Sequence, residues 1–293
     1  MDFAYNLTNI GHKVQIFNSP GTHTCTLPKG ISMVHIVTVG TGGGGGGGFT
    51  RASNNAGGGG GGGGTGAINR IIIPKIFLTD SLIITVGTGG SGGGANNAGS
   101  NGGATSVATN VGAPGNAQTF LLISTAGGTG GNPGTGAAGG TGGGAGAASG
   151  ANIMGMTALG EFVSRAGIAG GDGNATGSPL AGIYGTGTIP LSAGRGGAGI
   201  TAANTPAAGG SISGRGFVQD IPGGANPGGR GVDGMFMWKP FVSLGGTGGG
   251  SANAAGGFGG IGGPGSGGGG GGAGTTGGSG GRGGHGLVIV TCW

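Results

Sequence analysis

Charge is scarce in this chain, which carries 11 Lys and Arg and 6 Asp and Glu residues among 293. Charge-driven disorder is therefore excluded, because it needs high net charge and the formal charge here is only +5. Two Cys residues are too few for a disulfide framework or a Cys-based metal site. Twelve Pro residues are far below the proline content of a collagen. A collagen, a disulfide-rich scaffold and an ordinary disordered segment are all excluded.

Long hydrophobic runs are absent as well. The longest apolar stretches, at 36–39, 120–123 and 287–290, are far shorter than the ~20 residues that span a bilayer. The first ten residues lack the basic and apolar regions of a signal peptide, so we expect neither a signal peptide nor a transmembrane segment. Cys25 and Cys292 leave two alternatives open, a single bridge between the first and last strands or two free buried thiols.

Glycine is what the chain has instead, with 94 residues. Long α-helices are excluded because each interior Gly costs about 1 kcal/mol relative to Ala. Cut into triplets, residues 256–285 have Gly at the first position of all ten triplets and at the second position of eight. A polyproline II-type helix has three residues per turn, so two of its three faces would be bare backbone. The period of three predicts packed polyglycine II helices, with a flexible Gly linker as the bland alternative.

Short runs of β-branched residues predict strands between the Gly tracts. They lie at 13–17, 22–27, 32–39, 67–73, 104–109, 119–125 and 287–293, with a hairpin-like pair at 76–86. We expect a mostly non-helical fold in which a small β-strand module, closed by the C-terminal strand, carries a bundle or sandwich of polyglycine II helices with irregular loops. The predicted divisions are an attachment arm at 1–18, a β module with interleaved Gly tracts at 19–131, a polyglycine region at 132–286 with inserted loops at 151–244, and a closing strand at 287–293.

Catalytic signatures are missing or trivial. Matches to G-x-S-x-G at 89–93 and 277–281 are ones that any Gly tract generates, and they lack a strand–turn–helix context. No H-E-x-x-H motif and no G-K-[ST] motif occurs, and the His residues are scattered. We therefore expect no catalytic residues, no metal site and no cofactor. Gly-Arg-Gly recurs, but without a basic cluster it does not predict nucleic-acid binding.

The segment 232–241 is the sharpest apolar feature. Phe236, Trp238 and Phe241, with Met235 and Met237, predict an aromatic and thioether patch of the kind enriched at interfaces. The bland alternatives are a small local core and a subunit contact.

Several pieces of the chain, in this order, resemble the glycine-rich domain of bacteriophage tail-fibre and receptor-binding proteins. The pieces are LPKGISMVHIVTVGTGGGGGGG at 27–48, TDSLIITVGTGGSGGG at 79–94, GGATSV at 102–107 with TFLLISTAGGTGG at 119–131, and GGRGGHGLVIVTCW at 280–293. A related group, the glycine-rich adhesins at the tips of T-even-like long tail fibres, folds as a sandwich of polyglycine II helices. Variable loops of those adhesins touch outer-membrane proteins.

The resemblance implies a non-catalytic tail-fibre or baseplate-associated adhesin, made in the host cytoplasm and carried on the virion. Its implied partners are a host cell-surface receptor, protein or glycan, other virion tail proteins and a second copy of the chain. The candidate receptor contacts are Met154, Phe162, Tyr184, Phe217, Phe236, Met237, Trp238, Lys239 and Phe241. The candidate fibre-docking residues are Phe3, Tyr5 and Ile10. The alternative is a structural fibre or decoration protein whose apolar loops bury against neighbouring subunits.

Overall fold

This computed structural model describes residues 5–6, 13–111, 118–148, 161–183, 189–213 and 218–293. The strands are β1 (Tyr5–Asn6), β2 (Lys13–Phe17), β3 (Gly21–Thr26), β4 (Met33–Val39), β5 (Ile68–Pro74), β6 (Ser81–Val86), β7 (Thr105–Val111), β8 (Gln118–Thr125), β9 (Glu161–Arg165), β10 (Gly182–Ile183), β11 (Ile212–Ser213), β12 (Phe236–Trp238), β13 (Phe241–Ser243) and β14 (Leu287–Cys292). A 3-10 turn at Lys75–Phe77 is the one helical element in these ranges, and no helix there is long and apolar enough to cross a bilayer. The prediction of a mostly non-helical protein is confirmed.

Two antiparallel sheets form a sandwich. One has the strand order β1-β2-β14-β4-β5-β9, and the other has the order β3-β6-β7-β8. Because strand residues alternate between faces, one face of each sheet is apolar and the two apolar faces pack together. The core between them contains Phe17, Cys25, Leu27, Val34, Ile36, Ile71, Ile73, Leu78, Leu82, Ile84, Val86, Val107, Leu122, Ile123, Val288, Val290 and Cys292.

The strands of the sandwich continue directly into Gly-rich extended segments. Strands β4, β6 and β8 each lead into a segment that runs away from the sheets, and later segments return to β5, β7 and β14. We call the whole set the glycine array. Its segments are 40–49, 57–67, 87–94, 98–103, 126–134, 139–146, 167–173, 191–200, 207–210, 222–224, 229–234, 244–252, 256–263, 265–274 and 277–286.

Backbone hydrogen bonds inside the array recur at every third residue. Along 40–49, the amides of Gly43 and Gly46 donate to 57–67, while Gly45 and Gly48 donate to 277–286. The segment 40–49 is hydrogen-bonded to six others in all, which are 57–67, 87–94, 98–103, 126–134, 265–274 and 277–286. Segments 57–67 and 265–274 are each surrounded in the same way. Successive amides of one segment therefore donate to carbonyl groups of different neighbouring segments. In this way the buried amides are hydrogen-bonded although the segments do not form a β-sheet.

Close packing, rather than backbone flexibility, explains the glycines of these central segments. Left-handed φ values occur at just four described glycines, Gly21, Gly30, Gly228 and Gly265. In contrast, a Cβ built on most array glycines would lie closer than 3.0 Å to a backbone atom of a neighbouring segment. The three central segments contain unbroken Gly runs at 42–48, 57–64 and 267–272, so no side chain enters the middle of the array.

Segments at the edge of the array carry a side chain at every third position, and those side chains face outward. Thr129 and Asn132 are exposed along 126–134, and Phe258 and Ile261 are exposed along 256–263. The residues between them are buried or half-buried glycines. In these edge segments the non-glycine position of each triplet is therefore the one exposed to solvent.

Two local predictions need correction or completion. The hairpin-like pair predicted at 76–86 is wrong, because only β6 is a strand there. Pro74 is followed by the 3-10 turn, and the Lys75 Nζ donates to the carbonyl oxygens of Leu78 and Thr79 across it. Of the two alternatives for the cysteines, the structure has Cys25 and Cys292 as free, buried thiols.

Candidate functional site

The loops that join array segments at the end remote from the sandwich form one surface, which we call the tip. The tip loops are 50–56, 95–97, 135–138, 174–177, 201–206, 225–228, 253–255 and 275–276. Hydrogen bonds connect neighbouring loops, such as the Thr50 amide to the Asn96 Oδ1 at 2.8 Å and the Gly277 amide to the Thr50 Oγ1 at 3.0 Å. Loops held on a rigid scaffold are common places for recognition.

A buried arginine ties three of these loops together. The Arg51 Nη1 donates to the Asn55 carbonyl oxygen at 2.5 Å, and its Nη2 donates to the Oδ1 atoms of Asn204 at 2.8 Å and Asn253 at 3.2 Å. The residue is 4 % exposed, and no carboxylate of the described residues forms an ion pair with it. A buried cation must be compensated, and here neutral oxygens from separate loops do so.

Asparagine supplies the tight turns of the tip. Asn54, Asn96 and Asn204 have φ values of 65°, 62° and 61°, and they are the non-Gly residues with positive φ in the described ranges. Asn tolerates this left-handed region better than most residues because its short amide bonds locally. The Asn204 Nδ2 donates to the Asn54 Oδ1 at 2.6 Å, so two of the left-handed residues stabilise each other.

Replacement of Arg51 by Ala should loosen the tip without dissolving the array. Three oxygens would lose their donor, and water would offset part of the cost because Asn55 and Asn253 are exposed and Asn204 is half-buried. A fully buried acceptor without a partner would cost about 1–3 kcal/mol. We expect amide exchange in 201–206 and 253–255 to become about tenfold faster or more, as measured by hydrogen–deuterium exchange mass spectrometry. Arg282→Ala, which removes an exposed arginine from the edge of the array, is the matched control. Unchanged exchange in both loops would contradict the role assigned to Arg51.

A family model described as the glycine-rich domain matches residues 18–293, nearly the whole chain. The chain belongs to this glycine-rich domain family. A search of curated proteins found no match. In this glycine-rich domain the match covers the array, the tip and the strands of the sandwich from β3 onward, and β1 and β2 precede it.

The aromatic patch that the sequence predicts lies at the opposite end of the glycine-rich domain from the tip, on the hairpin β12–β13. Phe236 and Phe241 are half-buried and pack against a cluster that includes Val39 and Leu287 of the six-stranded sheet. The Trp238 ring contacts Phe236 edge-on, with 4.7 Å between ring centroids, and is 42 % exposed. Part of the patch is therefore a local core, while the Trp238 side chain is partly exposed to solvent.

Of the other residues predicted as contacts, two lie on the same hairpin and one lies elsewhere. Met237 is half-buried against a small cluster of Val218, Val242 and Leu244, and Lys239 is exposed beside it on the hairpin. Phe162 is half-buried in edge strand β9 and packs on the sandwich core.

Some predicted residues cannot be placed. Met154, Tyr184, Phe217, Phe3 and Ile10 lie outside the described residues. Tyr5 pairs with Val14 of β2, which places part of the predicted arm at the edge of the six-stranded sheet.

The titratable side chains of the domain are its potential metal ligands and nucleophiles. The parts of the domain that the structure describes contain no group of three His, Cys, Asp or Glu side chains that could hold a metal ion. Burial raises the pKa of the Cys25 thiol to about 12 and also raises the pKa of Cys292, so neither is a thiolate at neutral pH. Burial lowers the pKa of His35 and of His285, so both imidazoles are neutral at pH 7.

One apolar cavity of about 470 Å³ opens on the outer face of the six-stranded sheet. It is lined by Ile68, Arg70, Val163, Arg165, Ile189 and Pro190. The Arg70 guanidinium is already paired with the Glu161 carboxylate at 2.6 Å. One of the two arginines that line the cavity is therefore already neutralised by a carboxylate.

The tip is absent from the sites predicted above, although the sequence contains a signal for it. Asn interrupts the Gly tracts at the points where the chain turns, as in 53–56, 95–98 and 201–205. Gly and Asn are the residues that reverse a chain most readily. Reading each Asn-rich break as a turn at one common end would have identified the tip.

Proposed function

We propose that the glycine array is a bundle of polyglycine II-type helices that acts as a rigid support. The hydrogen-bond spacing of three residues matches the three residues per turn of such a helix, which has no internal hydrogen bonds. Six hydrogen-bonded neighbours around 40–49 suit hexagonal packing of these helices. Rigidity matters for binding because a preorganised surface loses less entropy when it meets a partner.

We infer that the protein is a non-catalytic bacteriophage adhesin, attached to a tail fibre or baseplate, that binds a receptor on the host cell surface. The observation that carries this proposal is the tip, where separate loops with individual side chains meet at the end of a rigid support. Membership of the glycine-rich domain family agrees with the resemblance to receptor-binding tail proteins. The proposed location is the virion, and the proposed contact is the tip rather than the hairpin with Trp238.

A structural fibre or decoration protein is the second candidate, and one observation favours it. Val232, Met235, Phe258 and Ile261 are exposed on two adjacent edge segments, joined by bonds from the Gly231 and Gly234 amides. Exposed apolar patches of this kind mark surfaces that bury against another protein. In this alternative these four exposed apolar side chains pack against neighbouring subunits of a fibre.

Cell binding distinguishes the two candidates. We expect labelled wild-type protein to bind selected strains in a panel of bacterial cells, and Trp238→Ala to bind the same strains because the tip is unchanged. The double variant Phe258→Ala, Ile261→Ala should also bind, and all three proteins should elute as the same species in size-exclusion chromatography.

Binding lost only in Trp238→Ala would move the contact to the hairpin, where the sequence analysis places it. No binding to any strain, together with assembly that the double variant abolishes, would favour the structural fibre. Phe236 and Phe241 are left unchanged in this test because they pack in a cluster and their loss would disturb the fold.

A further inference from the structure

The exposed chemistry of the tip is amide and hydroxyl, with almost no charge. Arg51 is the single charged residue in the tip loops, and its side chain is buried. The nearest carboxylate along the chain, Asp172, lies below the tip and accepts a bond from the Gly142 amide at 2.7 Å. Such a surface has no means of attracting a strongly charged partner over distance.

Three exposed asparagines at the tip are each held by their carbonyl oxygen. The Asn54 Oδ1 accepts from the Asn204 Nδ2, the Asn96 Oδ1 accepts from the Thr50 amide, and the Asn253 Oδ1 accepts from Arg51. Each of these partners is an N–H group, which can only donate. The side-chain atom that faces the partner must therefore be the Oδ1 of the asparagine and not its Nδ2. The Nδ2 groups of the three residues consequently face away from the bonds that hold them, and no described residue accepts from them.

Residues 50–54 connect the three amides into one patch. Asn96 is fixed by the Thr50 amide, Asn253 by the adjacent Arg51, and Asn54 belongs to the same loop. We call Asn54, Asn96 and Asn253 the amide ledge. It presents prearranged neutral donors, which suit a ligand with several neutral oxygen acceptors.

We propose that the amide ledge binds an uncharged oligosaccharide of the bacterial surface, through hydrogen bonds from the three Nδ2 groups to sugar hydroxyl, ring or N-acetyl oxygens. This inference rests on the proposed adhesin function and names its ligand class. Sugar oxygens are uncharged acceptors spaced along a chain, which matches fixed donors from separate loops. A charged phosphate or carboxylate ligand would instead favour exposed Arg or Lys.

The decisive variant replaces the side-chain NH2 group of each ledge asparagine by an oxygen. Asn54→Asp, Asn96→Asp and Asn253→Asp together keep the inward Oδ1 and replace each outward donor by an acceptor oxygen. The control variant Asn55→Asp, Thr135→Asp and Thr176→Asp adds the same charge to exposed tip positions outside the ledge. Circular dichroism and thermal melting of both variants establish that they fold as the wild type does.

Binding is measured on cells that the wild type recognises, before and after periodate oxidation of surface sugars or protease digestion. We expect periodate treatment of the cells to abolish binding and protease treatment to have no effect on it. The ledge variant should lose about tenfold or more in affinity for untreated cells, and the control variant should lose less than about twofold. Binding should change little between low and high salt, because no charge pair forms.

Loss of binding after protease alone would identify a protein receptor and overturn the saccharide, while leaving the adhesin intact. Equal losses in the ledge and control variants would overturn the donor role of the ledge. A wild type that binds no strain would instead contradict the adhesin itself, so the two failures are distinguishable.

Discussion

Gly45→Ala should strongly destabilise the folded protein. Gly45 lies in the central segment 40–49, and a Cβ there would fall closer than 3.0 Å to the carbonyl carbon and oxygen of Gly269. Both partners are backbone atoms of segments packed on all sides, so neither can move aside as a side chain would. Overpacking of a core commonly costs about 1–3 kcal/mol, and we expect this backbone clash to cost about 3 kcal/mol or more. Chemical denaturation followed by circular dichroism measures it.

Gly94→Ala provides the matched control. The nearest atom to its Cβ is the Asn97 Nδ2 at 3.8 Å, and the residue is exposed where its segment meets the tip. Because Ala restricts the unfolded chain more than Gly does, this variant should be as stable as the wild type or up to about 1 kcal/mol more stable. Equal destabilisation by both substitutions would show that flexibility, not close packing, selects the glycines.

Removal of residues 287–293 should leave no folded protein. These residues form β14, which lies between β2 and β4 in the six-stranded sheet and contributes Val288 and Val290 to the core. Its loss would divide the sheet and expose both neighbouring strand edges, which then become sites for aggregation. We expect the truncated protein to be insoluble or to lack a cooperative melting transition.

Deletion of Trp293 alone is the control for this experiment. The pairing of β14 with β2 and β4 ends at Cys292, so the shorter deletion keeps every strand pair. It removes the backbone bonds between Trp293 and Met33, and a small fall in melting temperature should follow. A cooperative transition near that of the wild type in the long truncation would contradict the central role of β14.

Local patterns in the sequence are sufficient for most strands of the sandwich and for the phase of the array, but they do not predict β1 or the short strands β9 to β13. Runs such as 32–39 and 119–125 combine β-branched residues with turn signals, and strands β4 and β8 form there. The triplets of 256–285 place Phe258, Ile261 and Arg282 at positions that are exposed in the structure. These features follow from spacing along the chain alone.

The assignment of strands to sheets follows from contacts that spacing does not encode. Strands β2 and β3 are neighbours in sequence, yet β2 pairs with β14 in one sheet and β3 pairs with β6 in the other. The tip has the same origin, since Arg51 lies 153 residues from Asn204 and 202 residues from Asn253. Such partners are chosen by packing across the whole molecule.

The same limit explains why the aromatic patch drew the prediction of a binding site. Phe236, Trp238 and Phe241 have the composition of an interface, but composition does not tell whether the molecule itself already covers a ring. Packing against the outer face of the six-stranded sheet covers Phe236 and Phe241 and leaves Trp238 exposed. Whether Trp238 contacts a receptor stays a prediction.

The three-residue hydrogen-bond spacing also limits which insertions and deletions the array segments can accept. One inserted codon within 277–286 would turn Arg282 from solvent toward the packed interior and break the phase of every bond beyond it. Three inserted codons would restore the phase and, if the proposed polyglycine II-type helix is correct, would add one turn of about 9 Å. The tip loops carry no three-residue phase, and changes in their length are limited instead by their Asn turns and by the contacts of Arg51. Natural variation in length should therefore occur in steps of three residues in the array and without such steps at the tip.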